Sequence, residues 1–333
     1  QTMEAVPQVS ATYESNVPGL YIIGALGGYP LIKQAMNQGY EVVEYIQGNK
    51  VEPADEDLLK AKFKNFKRAK NVSDALDIIQ TNVPLFKDLT TLQLREFMLD
   101  SEVQSPKAGS IIFQKDDYTN TFFSIVDGEV MVDVQGKDGK IKQVALRKGQ
   151  FFGELGLLSG RRRSGTVRAG ENCVLVETPR RSMLKLIASI ESVRRQIDET
   201  SLRRAVRAQI APFLSDPDLD ELIAGAQIKS YPSGAVIFKE GDDADGLHLI
   251  RRGSVTISRV LGGKEVVLSY VAAGNYVGEM ALLQSDAKRS ATVRAAVNCE
   301  TILLASKAFN RILARSATLR GGLEARVLER LGK

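Results

Sequence analysis

The sequence predicts an α+β chain in which two tandem β-barrels of jelly-roll type carry flanking helices and follow a short βα segment. Three observations carry this prediction. Residues 152–167 (FGELGLLSGRRRSGTV) and 277–293 (VGEMALLQSDAKRSATV) are near copies. Landmarks around them repeat at one offset: Gly109 with Gly234, Phe113 with Phe238, Gly128 with Gly253 and Gly149 with Gly274 all stand 125 apart. The offset becomes 126 at Arg163/Arg289 and Cys173/Cys299, so the second copy carries one inserted residue. A constant offset over this span is the mark of a tandem duplication. Short alternating segments between glycine turns are the pattern of a sandwich or barrel.

Taken in order, residues 1–50 hold an apolar strand at Gly19–Ile23, a tight loop at Gly24, Gly27 and Gly28, and an amphipathic helix from Pro30 to Ile46. Its apolar positions are Ile32, Ala35, Met36, Tyr40 and Val43. One strand and one helix do not bury a core alone, so this unit needs a partner surface. Residues 51–72 read as a basic helical linker: Asp55-Glu56-Asp57 at the favourable end, then Lys60, Lys62, Lys64, Lys67, Arg68 and Lys70, with Leu58, Leu59, Phe63 and Phe66 as an apolar stripe. Such a helix can lie on a membrane or on nucleic acid; a connector with a solvated face is the reading preferred here.

The first barrel domain spans 73–200. Ser73 caps a helix carrying Leu76 and Ile79, and a further helix runs through Phe97. Strands follow at Ser110–Phe113, Phe122–Val126, Glu129–Val134, Lys142–Leu146 and Asn172–Glu177. Pro179 to Leu214 is mostly helical, with Leu184, Ile187, Ile190, Val193, Ile197, Leu202, Val206 and Ile210 inward, and Pro212 and Asp216-Pro217 end it. The second barrel domain, 201–333, repeats the plan. It ends in a helix from Ser306 to Leu313 and a tail that Gly321-Gly322 interrupts.

Composition is that of an ordinary globular protein, with 44% hydrophobic and 26% charged residues. A net charge of +5 weakly favours an anionic ligand and does not identify nucleic acid. Cys173 and Cys299 occupy matching places in separate barrels and read as reduced core residues, which fits a cytoplasmic protein. One histidine excludes a multi-histidine metal site, and no Cys/His cluster has zinc spacing. No signal peptide is evident. The uncharged run from Val17 to Ile32 is shorter than the roughly 20 residues needed to cross a bilayer.

The duplicated stretch carries the chemistry. In each copy Gly-Glu opens a short apolar run and an arginine follows: Gly153-Glu154-Leu155 with Arg163-Ser164-Gly165, and Gly278-Glu279-Met280 with Arg289-Ser290-Ala291. A glycine-led helical turn and one arginine suit a phosphate beside a sugar: amide N–H groups and a guanidinium meet the anion, and a carboxylate accepts from a hydroxyl. Both copies resemble the phosphate-binding cassette of cyclic nucleotide-binding domains, found in regulatory subunits of cAMP-dependent protein kinase and in the bacterial catabolite activator. The resemblance covers roughly residues 80 to 315. It implies that Arg163 and Arg289 pair with the cyclic phosphate and that Glu154 and Glu279 accept the ribose 2′-OH. Ser164 and Ser290 can bond the phosphate or a guanine amino group, so cAMP and cGMP both stay open. Arg161-Arg162-Arg163-Ser164 also resembles a kinase phosphorylation site, but its place inside the cassette argues against that use.

Residues 16–46 resemble the C-terminal end of thioredoxin-reductase-like flavoproteins, through Val17-Pro18-Gly19-Leu20-Tyr21 and Lys33-Gln34-Ala35. That resemblance implies FAD contacts at Gly24, Ala25, Gln34 and Ala35, completed only in a longer parent protein. Ala25 stands where that family has Asp, and neither a G-x-G-x-x-G strand-turn-helix nor a C-x-x-C pair is present. The expectation is a signal-transducing allosteric module that binds one nucleotide per barrel and acts on a redox flavoprotein unit in cis or trans, with a homodimer allowed for. A kinase-inhibiting regulatory subunit is the alternative, although residues 60–72 hold no Arg-Arg-x-Ser/Ala/Thr pattern. Barrels serving as scaffolds of a flavin oxidoreductase, with no nucleotide bound, are another. A DNA-binding regulator is disfavoured because too few residues follow Leu313, and no nucleophile–base–orienter set marks the chain itself as an enzyme.

Overall fold

The structure, a computed structural model, describes residues 7, 9–27, 32–49, 52–135, 141–154, 162–210, 214–283 and 288–331. Two compact units divide the chain at residue 196/197.

In the first unit the N-terminal segment departs from expectation. Gly19–Ile23 forms no strand; a single antiparallel bridge joins Glu14 to Tyr21, and Gly24–Gly27 is a 3-10 turn. Helix α1 (Ile32–Ile46) forms as expected, but its apolar stripe faces outward. Ile32, Met36, Tyr40, Val43 and Ile46 are exposed, while Val42 and Gln38 are buried. The inner face is set by a polar contact: Gln38 Oε1 accepts from the Gly24 N–H at 2.7 Å.

Helix α2 (Glu56–Phe63) is shorter than the linker predicted. Leu59, Phe63 and Phe66 are buried, whereas Leu58 is exposed. Its acidic start is gripped by the buried Arg95, which lies 2.5 Å from Asp55 and 2.9 Å from Glu56. Helix α3 (Val72–Asn82) is capped by Asn71, two residues before the expected Ser73, because the Asn71 side chain accepts from the Asp74 N–H. Helix α4 (Thr91–Asp100) starts with a reciprocal capping box between Thr90 and Gln93.

The first barrel holds β1 (Glu102–Gln104), β2 (Ile111–Phe113), β3 (Thr121–Asp127), β4 (Glu129–Gln135), β5 (Ile141–Arg147), β6 (Phe151–Phe152), β7 (Thr166–Ala169) and β8 (Val174–Pro179). They form two four-stranded sheets, β1-β8-β3-β6 and β2-β7-β4-β5, with antiparallel pairing throughout. Between the sheets lie Phe113, Phe123, Ile125, Val130, Phe152, Val167, Cys173 and Leu175. Helix α5 (Arg180–Ser189) buries Met183 and Leu186, and the expected Leu184 and Ile187 are only half-buried. Ile190 is extended and separates α5 from α6 (Glu191–Gln209), where Val193, Ile197 and Val206 are buried as expected.

In the second unit, α7 (Asp216–Ala224) overturns the expectation that Asp216-Pro217 ends a helix. Ser215 caps it and Pro217 sits in its first turn, where a missing N–H costs no hydrogen bond. The second barrel comprises β9 (Gln227–Tyr231), β10 (Val236–Phe238), β11 (Gly246–Arg252), β12 (Ser254–Leu261), β13 (Lys264–Ala272), β14 (Tyr276–Val277), β15 (Thr292–Ala295) and β16 (Cys299–Ala305). Its sheets, β9-β16-β11-β14 and β10-β15-β12-β13, reproduce the order of the first barrel. A short helix α8 (Glu279–Leu283) lies in the duplicated stretch. Helix α9 (Ser306–Arg315) follows β16, and α10 (Ala317–Leu331) runs through Gly321-Gly322 without a break. Two glycines cost a helix about 2 kcal/mol relative to alanine. Leu319 and Leu323, buried in the core of this unit, offset that cost.

Cys173 and Cys299 are free and buried, each in its own barrel core. Burial pushes each thiol up to about 11. At pH 8 the folded chain is therefore expected to react with a disulfide reagent far more slowly than a free thiol, and unfolding in denaturant is expected to release two equivalents. Rapid native reaction of either cysteine would contradict this packing.

Candidate functional site

In each barrel one arginine is drawn inside. Arg163 and Arg289 are 3% and 2% exposed, so their guanidinium groups must find acceptors within the protein. Arg163 Nε donates to Thr119 Oγ1 at 2.6 Å, Nη1 to the Gly153 carbonyl at 3.3 Å, and Nη2 to the Thr121 carbonyl at 2.6 Å. Arg289 Nη1 donates to the Gly278 carbonyl at 3.0 Å, and Nη2 to the Gly246 carbonyl at 2.7 Å and to Asp245 Oδ1 at 2.5 Å. Each guanidinium lies over a phenylalanine ring: Arg163 over Phe113 at 4.1 Å, Arg289 over Phe238 at 4.0 Å. Burial lowers the pKa of both arginines, and neighbouring carboxylates oppose it, Glu154 foremost for Arg163 and Asp245 for Arg289. Both remain cations at neutral pH.

The approach of arginine to backbone explains Gly153 and Gly278. Both have φ of +90°, and a Cβ on Gly153 would stand 2.6 Å from Arg163 Nη1. The backbone of each arginine is clamped reciprocally to the loop before the third strand of its barrel. Asp116 N–H donates to Arg163 O at 2.9 Å and Arg163 N–H to Asp117 O at 3.0 Å. Gly241 and Asp242 make the same pair with Arg289 at 2.8 and 2.9 Å. Asp116 therefore adopts φ +70°, the left-handed conformation that Gly241 takes at φ +87°.

The structure thus brings Gly153, Glu154 and Arg163 together, and likewise Gly278, Glu279 and Arg289; both glutamates are buried at 2% exposure. Ser164 is exposed, and Gly165 is buried with Asp133 O 2.7 Å from where a Cβ would lie. Ala291, the counterpart of Gly165, is half-buried, and Ser290 Oγ lies 3.5 Å from Met280 Sδ. Leu155 lies outside the described residues. Sequence reasoning missed Thr119, Thr121, Asp245 and His248, and noted Phe113 and Phe238 only as matching landmarks; the repeat offset pointed at the two phenylalanines, but the other four differ between the copies and carried no such signal.

A family model for the cyclic nucleotide-binding domain matches residues 103–189 and 228–316, which is more than half of the chain. The chain belongs to the cyclic nucleotide-binding domain family. Its two cyclic nucleotide-binding domains are similar to the cAMP-dependent protein kinase regulatory subunit of Blastocladiella emersonii, at 28% identity over 69% of this chain and 56% of that protein. Over 118 residues the chain is also similar to the cAMP-activated global transcriptional regulator CRP of Escherichia coli O157:H7, at 32% identity over 35% of this chain and 56% of that protein. The chain thus spans just over half the length of these curated relatives. A solved structure, the regulatory domain of Toxoplasma gondii PKA with cAMP, aligns over 84% of this chain and 99% of that one at 20% identity and a TM-score of 0.37.

The family match begins at residue 103 and does not reach the N-terminal segment. Of the four residues expected there to touch FAD, Gly24 and Ala35 serve local packing. Gly24, at φ +65°, gives its N–H to Gln38, and a Cβ on it would stand 2.9 Å from the Ala35 Cβ. Ala25 is exposed and offers no side-chain polar group, and Gln34 Oε1 is buried without a partner. One lone acceptor is no flavin cradle, and the flavoprotein resemblance gains no support. Among the described residues no group of three or more His, Cys, Asp or Glu side chains is placed to hold a metal, and no helix is long and apolar enough to cross a membrane.

Two substitutions test the arginine clamp. Asp116→Gly is expected to raise stability by about 0.5–1 kcal/mol, the relief of a left-handed aspartate less the greater freedom of glycine in the unfolded chain, seen as a higher melting temperature of the first barrel. Gly153→Ala is expected to lower it and to displace Arg163. Gly109→Ala, with φ of +81° and no atom within 4 Å of the added Cβ, isolates the backbone cost alone. Equal effects of Gly153→Ala and Gly109→Ala on melting and on anion binding would contradict the close-approach reading.

Proposed function

We propose that each barrel binds one cyclic nucleotide, cAMP or cGMP. Arg163 and Arg289 take the cyclic phosphate, Glu154 and Glu279 the ribose 2′-OH. Gly153, Ser164 and Gly165 complete the first cradle, with Leu155 assigned to it from the sequence resemblance alone, and Gly278, Met280, Ser290 and Ala291 complete the second. One observation carries this reading: in both barrels a buried arginine is held against a Gly-Glu turn with φ +90° at the glycine. A buried cation with mostly neutral protein acceptors is a prepared site for an anion, because binding adds a charge partner with little reorganisation.

The relay runs through the helices that follow each barrel, α5 and α6 after the first and α9 and α10 after the second. Nucleotide binds more tightly to one arrangement of these helices and so shifts their population. We assign residues 73–200 and 201–333 to the two sensing domains, 51–72 to a linker and 1–50 to an output segment, in a cytoplasmic protein. Two outputs compete. Similarity to cAMP-dependent protein kinase regulatory subunits favours inhibition of a kinase catalytic subunit. The outward apolar stripe of α1 favours a unit docked on the N-terminal segment, which the flavoprotein resemblance would make a redox partner.

Calorimetric titration with cAMP and cGMP is expected to show two sites in the unsubstituted chain. Arg163→Ala and Arg289→Ala are each expected to weaken their own site on the order of 10²-fold or more. No heat with either nucleotide would leave the barrels as scaffolds. Inhibition of a kinase catalytic subunit, relieved by nucleotide, would decide for the first output. Its absence, with nucleotide-sensitive binding of a flavoprotein reductase, would decide for the second.

A further inference from the structure

The two sites differ in one respect that the duplication isolates. Arg163 is held by neutral acceptors, whereas Arg289 shares its Nη2 with a carboxylate, Asp245. At the offset of 125, Asp245 replaces Asn120 and His248 replaces Phe123. His248 is the sole histidine of the chain and is fully buried in β11. Its Nε2 lies 3.2 Å from the same Asp245 oxygen that meets Arg289, and its Nδ1 lies 3.4 Å from Thr301 Oγ1 on β16. Phe238 on β10 packs against its ring at 5.4 Å. One carboxylate oxygen is thus shared between a guanidinium and an imidazole.

We propose that Asp245 competes with the nucleotide phosphate for Arg289, and that its displacement couples binding in the second barrel to uptake of one proton by His248. This rests on the reading that the second barrel binds the cyclic phosphate. The phosphate and the carboxylate are like charges seeking one edge of one guanidinium, so both cannot hold it at full strength. When the phosphate neutralises Arg289, Asp245 keeps His248 as its buried partner, and the cavity has gained a negative charge. Both changes favour the imidazolium, and the proton comes from solvent.

The surrounding groups pull His248 in opposite directions. In the free protein burial pushes His248 down, Asp245 pulls it up, and Arg289 and Lys229 on β9 push it down again, with a net lowering. Lys229 Nζ is 3.7 Å from the other Asp245 oxygen. Burial pushes Asp245 up, but His248 and Arg289 outweigh it and hold its carboxyl well below the ordinary range. Tyr231 on β9 faces Asp245, and Asp242 and Glu279 act on Arg289. The imidazole is therefore neutral when free and gains a proton when bound. Uptake on binding makes affinity rise as pH falls, by at most about tenfold per unit. The first barrel has no such dependence.

The single histidine lets proton NMR test this in the tag-free full chain. The His248 ring resonance is expected to titrate below the ordinary histidine value without ligand and above its ligand-free value with saturating cAMP. In Arg289→Ala cAMP is expected to leave it unmoved. In Arg163→Ala, where the second site is the one left intact, cAMP affinity is expected to fall as pH rises from below the ordinary histidine value. Asp245→Asn, which installs the residue of the first repeat, is expected to raise second-site affinity at pH 8 and flatten that slope. A His248 titration unchanged by bound cAMP overturns the proposal, as does weaker binding in Asp245→Asn. Absence of binding of both cAMP and cGMP by the unsubstituted chain overturns the nucleotide reading itself, and this proposal with it.

Discussion

The structure depends on burying a guanidinium inside each barrel. A cation taken out of water loses solvation worth several kcal/mol unless acceptors replace it. Each barrel answers that demand with backbone carbonyls of a glycine turn and of the third strand and with an aromatic face beneath the group, although Arg289 Nε is left without an acceptor among the described residues. The turn comes close enough only because it begins with glycine at φ +90°. The loop before the third strand then clamps the arginine backbone through paired hydrogen bonds. Strand order, turn conformation and loop contacts thus converge on one side chain.

The duplication makes each barrel a control for the other. Both keep the arginine, the glutamate, the glycine turn and the phenylalanine platform, and they differ in what else touches the guanidinium. The first barrel surrounds it with hydroxyl and carbonyl groups; the second adds a carboxylate that a buried imidazole also claims. Two sites of one architecture therefore carry different charged groups against the guanidinium.

Much of the fold was legible because glycine turns, alternation and a fixed offset are local properties of the chain. The five strands expected in the first barrel form within two residues of their expected positions, whereas β1, β6 and β7 were not foreseen. Errors came where a local signal has two meanings. Ser73 and Asn71 both suit a helix cap, and hydrogen-bond geometry chose Asn71. Pro217 stops one helix but also suits the first turn of another. Gly321-Gly322 weakens a helix, yet Leu319 and Leu323 find a core to anchor it. The helix at Ile32–Ile46 was foreseen, while the direction of its apolar stripe was not, since periodicity shows that a face exists and says nothing about what covers it.

The sequence by itself determined the paired barrels, the two Gly-Glu turns and the two arginines, because duplication prints those residues twice in the same register. Tertiary structure alone decided what holds each arginine. Thr119 and Thr121 lie more than 40 residues before Arg163, and Asp245 and His248 lie more than 40 before Arg289. Their meeting depends on strand pairing that closes each barrel. So does the sharing of one Asp245 oxygen, because charge competition is a matter of ångströms between atoms and leaves no periodic trace along a chain.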